Sequence, residues 1–258
     1  MAPNVHCVRH AQGHHNLSVA NHQMHDPLLT PYGEEQCRNL RKTFPNIDKV
    51  DLVVASPLKR TVYTALLSFE SVLKEKKLKI ICLPELQETS DLPCDTGSAP
   101  DELAKEFEGK PVDLSLVNWG WNSKRMKWAP NAPAIERRAR EARQWLMARP
   151  EKEIVVVSHG GYLHYLTEDW SDSARFAGTG WANTEFRSYS SSTYQADEAH
   201  FTETQESRRR RLGDEKPLDH NEATQLKRTS TNERKQETSD YLDKAAKTND
   251  VQAIQAKV

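Results

Sequence analysis

Apolar residues in the first 200 positions form short continuous runs that are separated by runs with helical spacing. Continuous apolar runs ending in polar residues are typical of buried parallel strands, and four segments have this form: NVHCVRH, VDLVVASP, LKIICLPEL and KEIVVVSHGG. Between them, apolar residues recur at helical spacing, as in TPYGEEQCRNLRKTF, LKRTVYTALLSFESVLKEK and AIERRAREARQWLMARP. This alternation predicts an α/β domain, a three-layer α/β/α sandwich with a mostly parallel central sheet.

The composition changes from about residue 200 onward, where apolar residues become rare and charged residues frequent. Such a segment cannot bury enough apolar surface to offset the entropy lost on ordering. We therefore predict a folded domain over residues 1–200 and a charged, flexible tail over 201–258. The run Arg208–Arg211 is either a nuclear-localisation or nucleic-acid patch or, as its acidic neighbours favour, a solvated part of this tail.

Net charge and cysteine spacing bear on location and partners. The formal charge of −1 predicts no bulk attraction to nucleic acid or to an anionic membrane. The first residues carry no signal-peptide pattern, and no apolar run is long enough to cross a bilayer. The four cysteines form no CxxC pair, so we expect reduced thiols and a cytoplasmic protein.

Residues with catalytic chemistry follow each of the predicted strands. Because ligands of parallel sheets bind beyond the carboxyl ends of the strands, we expect these residues to meet at one edge of the sheet. They are Arg9 and His10 after the first strand, Ser56 and Arg60 after the second, the carboxylates of PELQETSD after the third, and Ser158, His159 and Gly160 after the last.

This set of side chains is suited to phosphoryl transfer. Two guanidiniums can bind a phosphoryl group through paired hydrogen bonds. A neutral imidazole can then attack phosphorus, a second histidine can donate to the equatorial oxygens, and a carboxylic acid can protonate the leaving oxygen. The residues therefore predict a phosphohistidine intermediate, with no metal and no cofactor.

Four motifs in the order of the chain resemble the histidine phosphatase superfamily, the phosphoglycerate mutase-like group, and within it a fungal-type phosphatase. VRHAQGHHN is similar to the family's first motif, SPLKRTVYTA to its second, VVVSHGGYLHYL to its third, and LLTPYGEEQC to its Leu-Thr-x-x-Gly-x-x-Gln stretch. The resemblance extends over about residues 4–190. It implies the phosphoglycerate mutase-like fold and a phosphatase acting on phosphomonoesters of a small molecule.

The resemblance also implies a role for each matching residue. His10 corresponds to the phosphorylated nucleophile, and the residues that correspond to phosphate ligands are Arg9, Asn16, Arg60, His159 and the backbone of Gly160. The family's first motif begins with Arg-His-Gly, and Ala11 occupies its glycine position. Many phosphatase members also have alanine at this position.

The proton donor has four candidates. Glu88 lies where the family's Leu-x-Glu places its acid, whereas Glu85 is nearer the strand and is expected to be structural. Asp91 and Asp95 are the remaining candidates.

The segment after Glu88 lacks the Glu-Arg-x-Tyr-Gly pattern of cofactor-dependent mutases. We predict that about residues 89–135 form a cap-like insertion over the pocket. Its tryptophans, Trp119, Trp121 and Trp128, either shape the pocket or anchor the insertion, and anchoring is the favoured interpretation.

The remaining N-terminal histidines do not have the spacing of a metal site. His14, His15, His22 and His25 fall in a loop-like stretch without an HxxxH helix or paired cysteines, so we expect no metal there. His14 and His15 are candidates for contact with the substrate.

The function expected from these residues is a metal-independent phosphomonoesterase. A phosphoglycerate-type mutase is one alternative, and the missing mutase pattern argues against it. A non-catalytic module that binds a phospholigand or a protein is the other, and the complete catalytic set argues against that. The motifs specify no particular substrate and no oligomeric state.

Overall fold

A seven-stranded sheet organises the protein. The computed structural model describes residues 3–170, 180–193 and 199–213, and the elements named here belong to one compact unit. The strands are β1 (Asn4–Arg9), β2 (Leu52–Ala55), β3 (Ile80–Cys82), β4 (Val112–Asp113), β5 (Glu153–Ser158), β6 (Phe186–Thr193) and β7 (Ala199–Glu203). They are ordered β4-β3-β2-β5-β1-β6-β7, with β1 to β5 parallel and β6 antiparallel to both of its neighbours.

Helices pack against this sheet in two groups. The described residues form α1 (Pro31–Thr43), α2 (Lys59–Ser68), α3 (Glu70–Glu75), α4 (Pro100–Glu106), α5 (Ala132–Met147), α6 (Gly160–Thr167) and α7 (Gln205–Leu212). Helix α1 packs on α2, which lies against β2, β3 and β5, while α5 packs on α6, which contacts β1 and β7. The predicted α/β class with a mostly parallel sheet is confirmed. Within the described ranges, no helix is both long and apolar enough to span a bilayer.

The central strands are apolar along their whole length because they are covered on both faces. Ile154–Val157 of β5 and Leu52–Ala55 of β2 are buried at every position. A strand buried on both faces needs no polar alternation, which is why the continuous apolar runs predicted these strands.

Strand β7 and helix α7 continue the domain past residue 200, so the boundary predicted there is wrong. Strand β7 pairs with β6, and Phe201 is buried with its ring centroid 6.3 Å from that of Tyr189. Thr204 begins α7, since its Oγ1 accepts a hydrogen bond from the N–H of Ser207 at 3.2 Å. An edge strand buries few side chains, so composition alone did not reveal it.

The arginine run of the predicted tail lies in α7. Arg210 stacks over the ring of Phe186 at 3.9 Å, and Arg211 pairs with Glu203 at 2.7 Å. Arg210 is exposed, as the solvated interpretation of Arg208–Arg211 expects, but both residues belong to a helix of the domain and not to a flexible tail. Residues 214–258, the rest of the predicted tail, lie outside the described residues.

The segment 89–135, predicted to be a cap-like insertion, also extends the sheet through β4, which pairs with β3. Trp121 is buried, and its indole Nε1 donates to the carbonyl oxygen of Ser98 at 3.2 Å. A Cβ at Gly97 would come within 2.2 Å of this indole, so glycine permits the contact. Trp121 anchors the segment, as predicted, whereas Trp119 is 75% exposed.

A matched pair of substitutions tests whether β7 belongs to the domain. Phe201→Ala removes a buried ring and is expected to lower the free energy of unfolding by about 3 kcal/mol. Thr202→Ala, on the exposed face of the same strand, is expected to change it by less than about 0.5 kcal/mol. Urea unfolding followed by circular dichroism measures both. If neither substitution changes the free energy of unfolding, Phe201 would belong to a flexible tail and not to the folded domain.

Candidate active site

The carboxyl ends of β1 and β5 bring predicted site residues together at one edge of the sheet. The two strands are neighbours, and Arg9 pairs in register with Ser158. The N–H of His10 donates to the carbonyl oxygen of Ser158 at 2.9 Å. The rings of His10 and His159 consequently lie side by side, with centroids 5.2 Å apart.

Arg60 is fully buried between these two histidines, in the first turn of α2. Its Nε donates to Nε2 of His10 at 3.3 Å, and its Nη2 donates to Nδ1 of His159 at 3.0 Å. Its Nη1 donates to the carbonyl oxygen of Cys94 at 2.6 Å, and Nη2 also contacts Oδ1 of Asp95 at 2.9 Å. These contacts fix the orientation of the guanidinium and pair its charge with a carboxylate.

His10 presents an unprotonated nitrogen to Arg60. Its Nδ1 lies 2.7 Å from the carbonyl oxygen of Ala11, which can only accept, so Nδ1 carries the proton. Its Nε2 accepts from the guanidinium, which can only donate. Both partners therefore assign the same tautomer, in which the lone pair of Nε2 faces the centre of the site.

His159 has the opposite tautomer. Its Nδ1 accepts from Arg60, so its proton is on Nε2, which donates to Oγ of Ser56 at 2.9 Å. Both ring nitrogens thus contact protein groups. The phosphate-binding role expected of His159 stays a prediction.

Burial and neighbouring cations keep the site histidines neutral. The pKa of His10 and that of His159 lie well below the usual 6.5, first because both rings are buried and then because Arg60 is close. The ring of His15 lies 5.4 Å from that of His10, and burial, with Arg60 and Arg9 nearby, lowers the pKa of His15 to about 2. The nucleophilic form of His10 is therefore its resting form.

Arg9 supplies a second buried cation at the end of β1. Its guanidinium donates to the carbonyl oxygen of Trp181. Burial lowers the pKa of Arg9 to about 10, which leaves the side chain charged at neutral pH, while Glu88 nearby favours the charged form. Arg9 and Arg60 together make an electropositive space suited to a phosphoryl group.

Glu88 lies beside the start of helix α6. Its Oε2 accepts from the N–H of Gly161 at 3.2 Å, and its Oε1 accepts from the N–H of Thr89 at 2.8 Å. Because α6 begins directly after His159, this helix brings the carboxylate and the second histidine to the same place.

The other acid candidates are positioned differently. Glu85 pairs with Lys127 at 2.5 Å, Asp91 is exposed, and Asp95 is the buried partner of the central guanidinium. Of the four carboxylates, Glu88 is the one near Arg9 that forms no ion pair within the described part of the chain. The geometry favours Glu88 as the proton donor.

Arg138 holds the loop that carries Glu88, and sequence analysis missed it. This buried side chain of α5 donates from Nη1 to the carbonyl oxygens of Glu85 and Gln87, each at 2.9 Å. Its guanidinium lies 5.0 Å from the ring centroid of Tyr162. The sequence places Arg138 among several similar arginines, and only the packing of α5 distinguishes it.

The stretch LLTPYGEEQC fixes the loop that follows the nucleophile candidate. Oγ1 of Thr30 accepts from the N–H of Gly33 at 3.0 Å, which makes Thr30 the N-cap of α1. Gln12 is bound from both sides, since its N–H donates to Oε1 of Gln36 at 2.8 Å and its oxygen accepts from the N–H of Thr30 at 2.9 Å. A Cβ at Gly33 would lie 2.2 Å from that oxygen, so helix and loop approach closely because residue 33 is glycine.

Two further predicted phosphate ligands lie at the edge of this arrangement. Asn16 is exposed, and its Oδ1 accepts from the N–H of Gly13 at 3.0 Å. Gly160 is the buried first residue of α6. Their binding roles stay predictions. Across the residues that the structure describes, no group of three or more His, Cys, Asp or Glu side chains is arranged to hold a metal ion.

Lys124 is a second residue that sequence analysis missed. It comes from the insertion, and its Nζ lies 3.5 Å from the carbonyl oxygen of Glu88. This contact places the ammonium beside the loop that carries Glu88, and its charge adds to the causes that lower the pKa of His159.

Comparison with known proteins agrees with this geometry. The family model of the histidine phosphatase superfamily (branch 1) matches residues 5–207. The chain is 30% identical to a phosphoglycerate mutase-like protein of Arabidopsis thaliana, over 63% of this chain and 72% of that protein. It is 27% identical to a probable phosphatase of Schizosaccharomyces pombe, over 60% of this chain and 73% of that protein.

Among the solved structures that match is a mycobacterial glucosyl-3-phosphoglycerate phosphatase, 18% identical with a TM-score of 0.49, over 79% of this chain and 97% of that chain. The family model covers well over half of the chain and includes all the residues of the site. The chain therefore belongs to branch 1 of the histidine phosphatase superfamily, and it is an enzyme of the phosphatase class.

Proposed function

We propose that the protein hydrolyses a phosphomonoester of a small molecule without a metal ion, through a phosphohistidine at His10. The observation that carries this proposal is the tautomer of His10, whose unprotonated Nε2 faces Arg60. A nitrogen lone pair held beside a cation is the arrangement needed to attack a phosphoryl group, because the cation offsets the negative charge that repels a nucleophile.

Attack on the substrate forms one bond and breaks another. The phosphoryl oxygens bind Arg9 and Arg60, and Nε of Arg60 transfers its hydrogen bond from His10 to a phosphoryl oxygen. Nε2 of His10 then forms a bond to phosphorus, and the bond from phosphorus to the leaving oxygen breaks. Glu88, entering this step protonated, gives its proton to that oxygen, which leaves as an alcohol.

Hydrolysis of the phosphohistidine regenerates the enzyme. The Glu88 carboxylate takes a proton from water as the water oxygen bonds to phosphorus and the bond to Nε2 breaks. Inorganic phosphate leaves, and Glu88 is again protonated for the next substrate. Arg138 contributes by holding the loop of Glu88, through the backbone oxygens of Glu85 and Gln87.

Removal of the nucleophile tests the covalent step. In the presence of EDTA, the wild-type protein is expected to release phosphate from p-nitrophenyl phosphate and to form an acid-labile phosphoenzyme. His10→Ala is expected to lose both, with activity reduced by at least about 10³-fold because the nucleophile is absent. His25→Ala, an exposed histidine of the same region, is the control. Retained turnover in His10→Ala, or loss of all activity in EDTA, would contradict the proposal, and an isomeric product without free phosphate would indicate a mutase.

The proton donor is tested by comparing leaving groups. Glu88→Gln is expected to lower kcat by about 10²-fold or more for an alkyl phosphate, because an alkoxide needs a proton to leave. The loss should be much smaller for p-nitrophenyl phosphate, whose leaving group departs as a stable anion. Glu85→Gln is the matched control, since Glu85 pairs with Lys127. Equal losses on both substrates would remove Glu88 from the role of acid.

Neutral buried histidines predict a stability that falls in acid. Below about pH 6.5, these histidines bind protons in the unfolded chain but not in the folded protein. Their full contribution to the free energy of unfolding is therefore present above that pH, and it declines as the pH drops. Each excluded proton contributes about 1.4 kcal/mol per pH unit until the folded-state pKa is reached, which for His15 is about 2. The free energy of urea unfolding, measured from about pH 7 to about pH 4, should show this slope. His15→Gln should make it shallower by about one proton, and an unchanged slope would refute the assignment.

A further inference from the structure

Lys124, from the segment 89–135, lies beside the loop of Glu88, and its ammonium group forms no ion pair with a carboxylate among the described residues. Nζ of Lys124 has one hydrogen bond, to the carbonyl oxygen of Glu88, and at 3.5 Å it is long. Within the described ranges of the chain, no carboxylate lies within ion-pair distance of this ammonium. The contact with Glu88 is the one hydrogen bond of this ammonium within those ranges.

A second lysine of the same segment shows the contrast. Nζ of Lys127 pairs with Glu85 at 2.5 Å and with Glu141 at 2.8 Å. Lys127 therefore has the contacts of a structural ion pair, and Lys124, three positions earlier, does not. The two residues form a matched pair for experiment.

The backbone around Lys124 is held in an unusual conformation. Lys124 has φ of 54° and Met126 has φ of 52°, which places both in the left-handed region that side chains other than glycine rarely adopt. The conformation persists because the adjacent residues are anchored: Trp121 is buried, and Nδ2 of Asn122 donates to the carbonyl oxygen of Gly97 at 2.7 Å. Such strain is retained where surrounding contacts enforce it, and it is concentrated at binding sites.

The charges around Lys124 belong to the active site. Burial lowers the pKa of Lys124 to about 8, so the ammonium is the main form at neutral pH. The titratable and charged groups around it are Arg60 of α2, Arg138 of α5, His159 just before α6, and Glu88 and Asp95 from the stretch after β3. Two of these, Arg60 and His159, are the residues expected at the phosphoryl group.

We propose that Lys124 binds a second anionic group of the substrate, so that the preferred substrates are phosphomonoesters that also carry a carboxylate or another phosphate. The proposal rests on the phosphatase function proposed above and specifies its substrate class. An ammonium with unused donors beside a phosphoryl site gains a strong, charge-assisted hydrogen bond when such a group arrives. A neutral alcohol in the same place offers no comparable gain.

Two substrate pairs with matched skeletons test this assignment. Glycerol 3-phosphate and 3-phosphoglycerate differ by a carboxylate, and fructose 6-phosphate and fructose 1,6-bisphosphate differ by a phosphate. In at least one pair, the wild type is expected to have the higher kcat/KM for the member with the additional carboxylate or phosphate, here called the anionic member. The pair that shows this preference identifies which anionic group Lys124 binds. Lys124→Met should reduce the ratio within this pair about tenfold or more. Lys124→Arg should retain the ratio because the charge remains, and Lys127→Met is the control.

An equal loss on both members in Lys124→Met would overturn the proposal, because it would mean that Lys124 acts only on the Glu88 carbonyl. A wild type without preference in either pair would also overturn it. Thermal unfolding of each variant shows whether the fold is retained, and Lys124→Arg keeps the test valid if the methionine variant is unstable.

Binding separates this proposal from the proposed chemistry. In the His10→Ala background, calorimetry measures the affinity for the same four compounds without turnover. Tighter binding of an anionic member, lost when Lys124→Met is added, supports the assignment even if the wild type fails to form a phosphoenzyme. If the His10→Ala protein binds the two members of each pair equally, with Lys124 or with Lys124→Met, the proposal is refuted. Hydrolysis at His10 would be unaffected by that result.

The pH dependence gives an independent readout. The preference for the anionic member should be present at about pH 7 and should decline as the pH rises through about 8, because Lys124 then loses its proton. In Lys124→Arg the preference should persist above that pH, since a guanidinium stays charged. A preference that does not change with pH in the wild type would contradict the role of the ammonium.

Discussion

The candidate active site depends on one buried guanidinium, that of Arg60. Arg60 is inaccessible to solvent, and a buried charge is tolerated only when it is paired and hydrogen-bonded. Asp95 supplies the opposite charge and Cys94 a carbonyl oxygen, so the contacts of Arg60 require the segment 89–135 to be folded onto the rest of the domain. The same guanidinium donates to His10 and His159 and thereby sets both tautomers. The Asp95 carboxylate, the orientation of both imidazoles and the proposed nucleophile are thus linked through the side chain of Arg60.

Placing neutral imidazoles among cations connects stability with catalysis. The burial that lowers the pKa of His10 keeps its lone pair free, and it also makes the folded protein resist protonation. Much of the surrounding structure supports this arrangement without touching a substrate. Arg138 hydrogen-bonds to backbone oxygens of the loop that carries Glu88. Gly33 has no side chain, so α1 can pack closely against the loop after His10. In the proposed function few residues contact the substrate, and residues such as Arg138 and Gly33 hold them in position.

The segment 89–135 has two roles in the proposed function. It supplies Asp95, which Arg60 needs in the resting protein, and Lys124, which points to the recognition of an anionic substrate. In the proposed function, catalysis and substrate choice therefore depend on the same segment. Its buried anchor, Trp121, and the close approach at Gly97 explain how an irregular stretch holds charged side chains in place. Loops positioned by a rigid body commonly carry such selectivity.

Sequence patterns alone were enough to predict the layered fold and to bring several residues of the candidate site together. Continuous apolar runs specified the central strands, and because parallel strands present their carboxyl ends to one edge, Arg9, His10, Arg60 and His159 could be brought together before any coordinates. Composition failed at residue 200, since an edge strand buries too little apolar surface to stand out from a tail. Arg138 and Lys124 were beyond sequence analysis for a different reason: their neighbours in the chain are also basic. Only tertiary packing decides which of several similar cations is buried beside a carbonyl oxygen, because that choice depends on contacts between residues far apart in the chain.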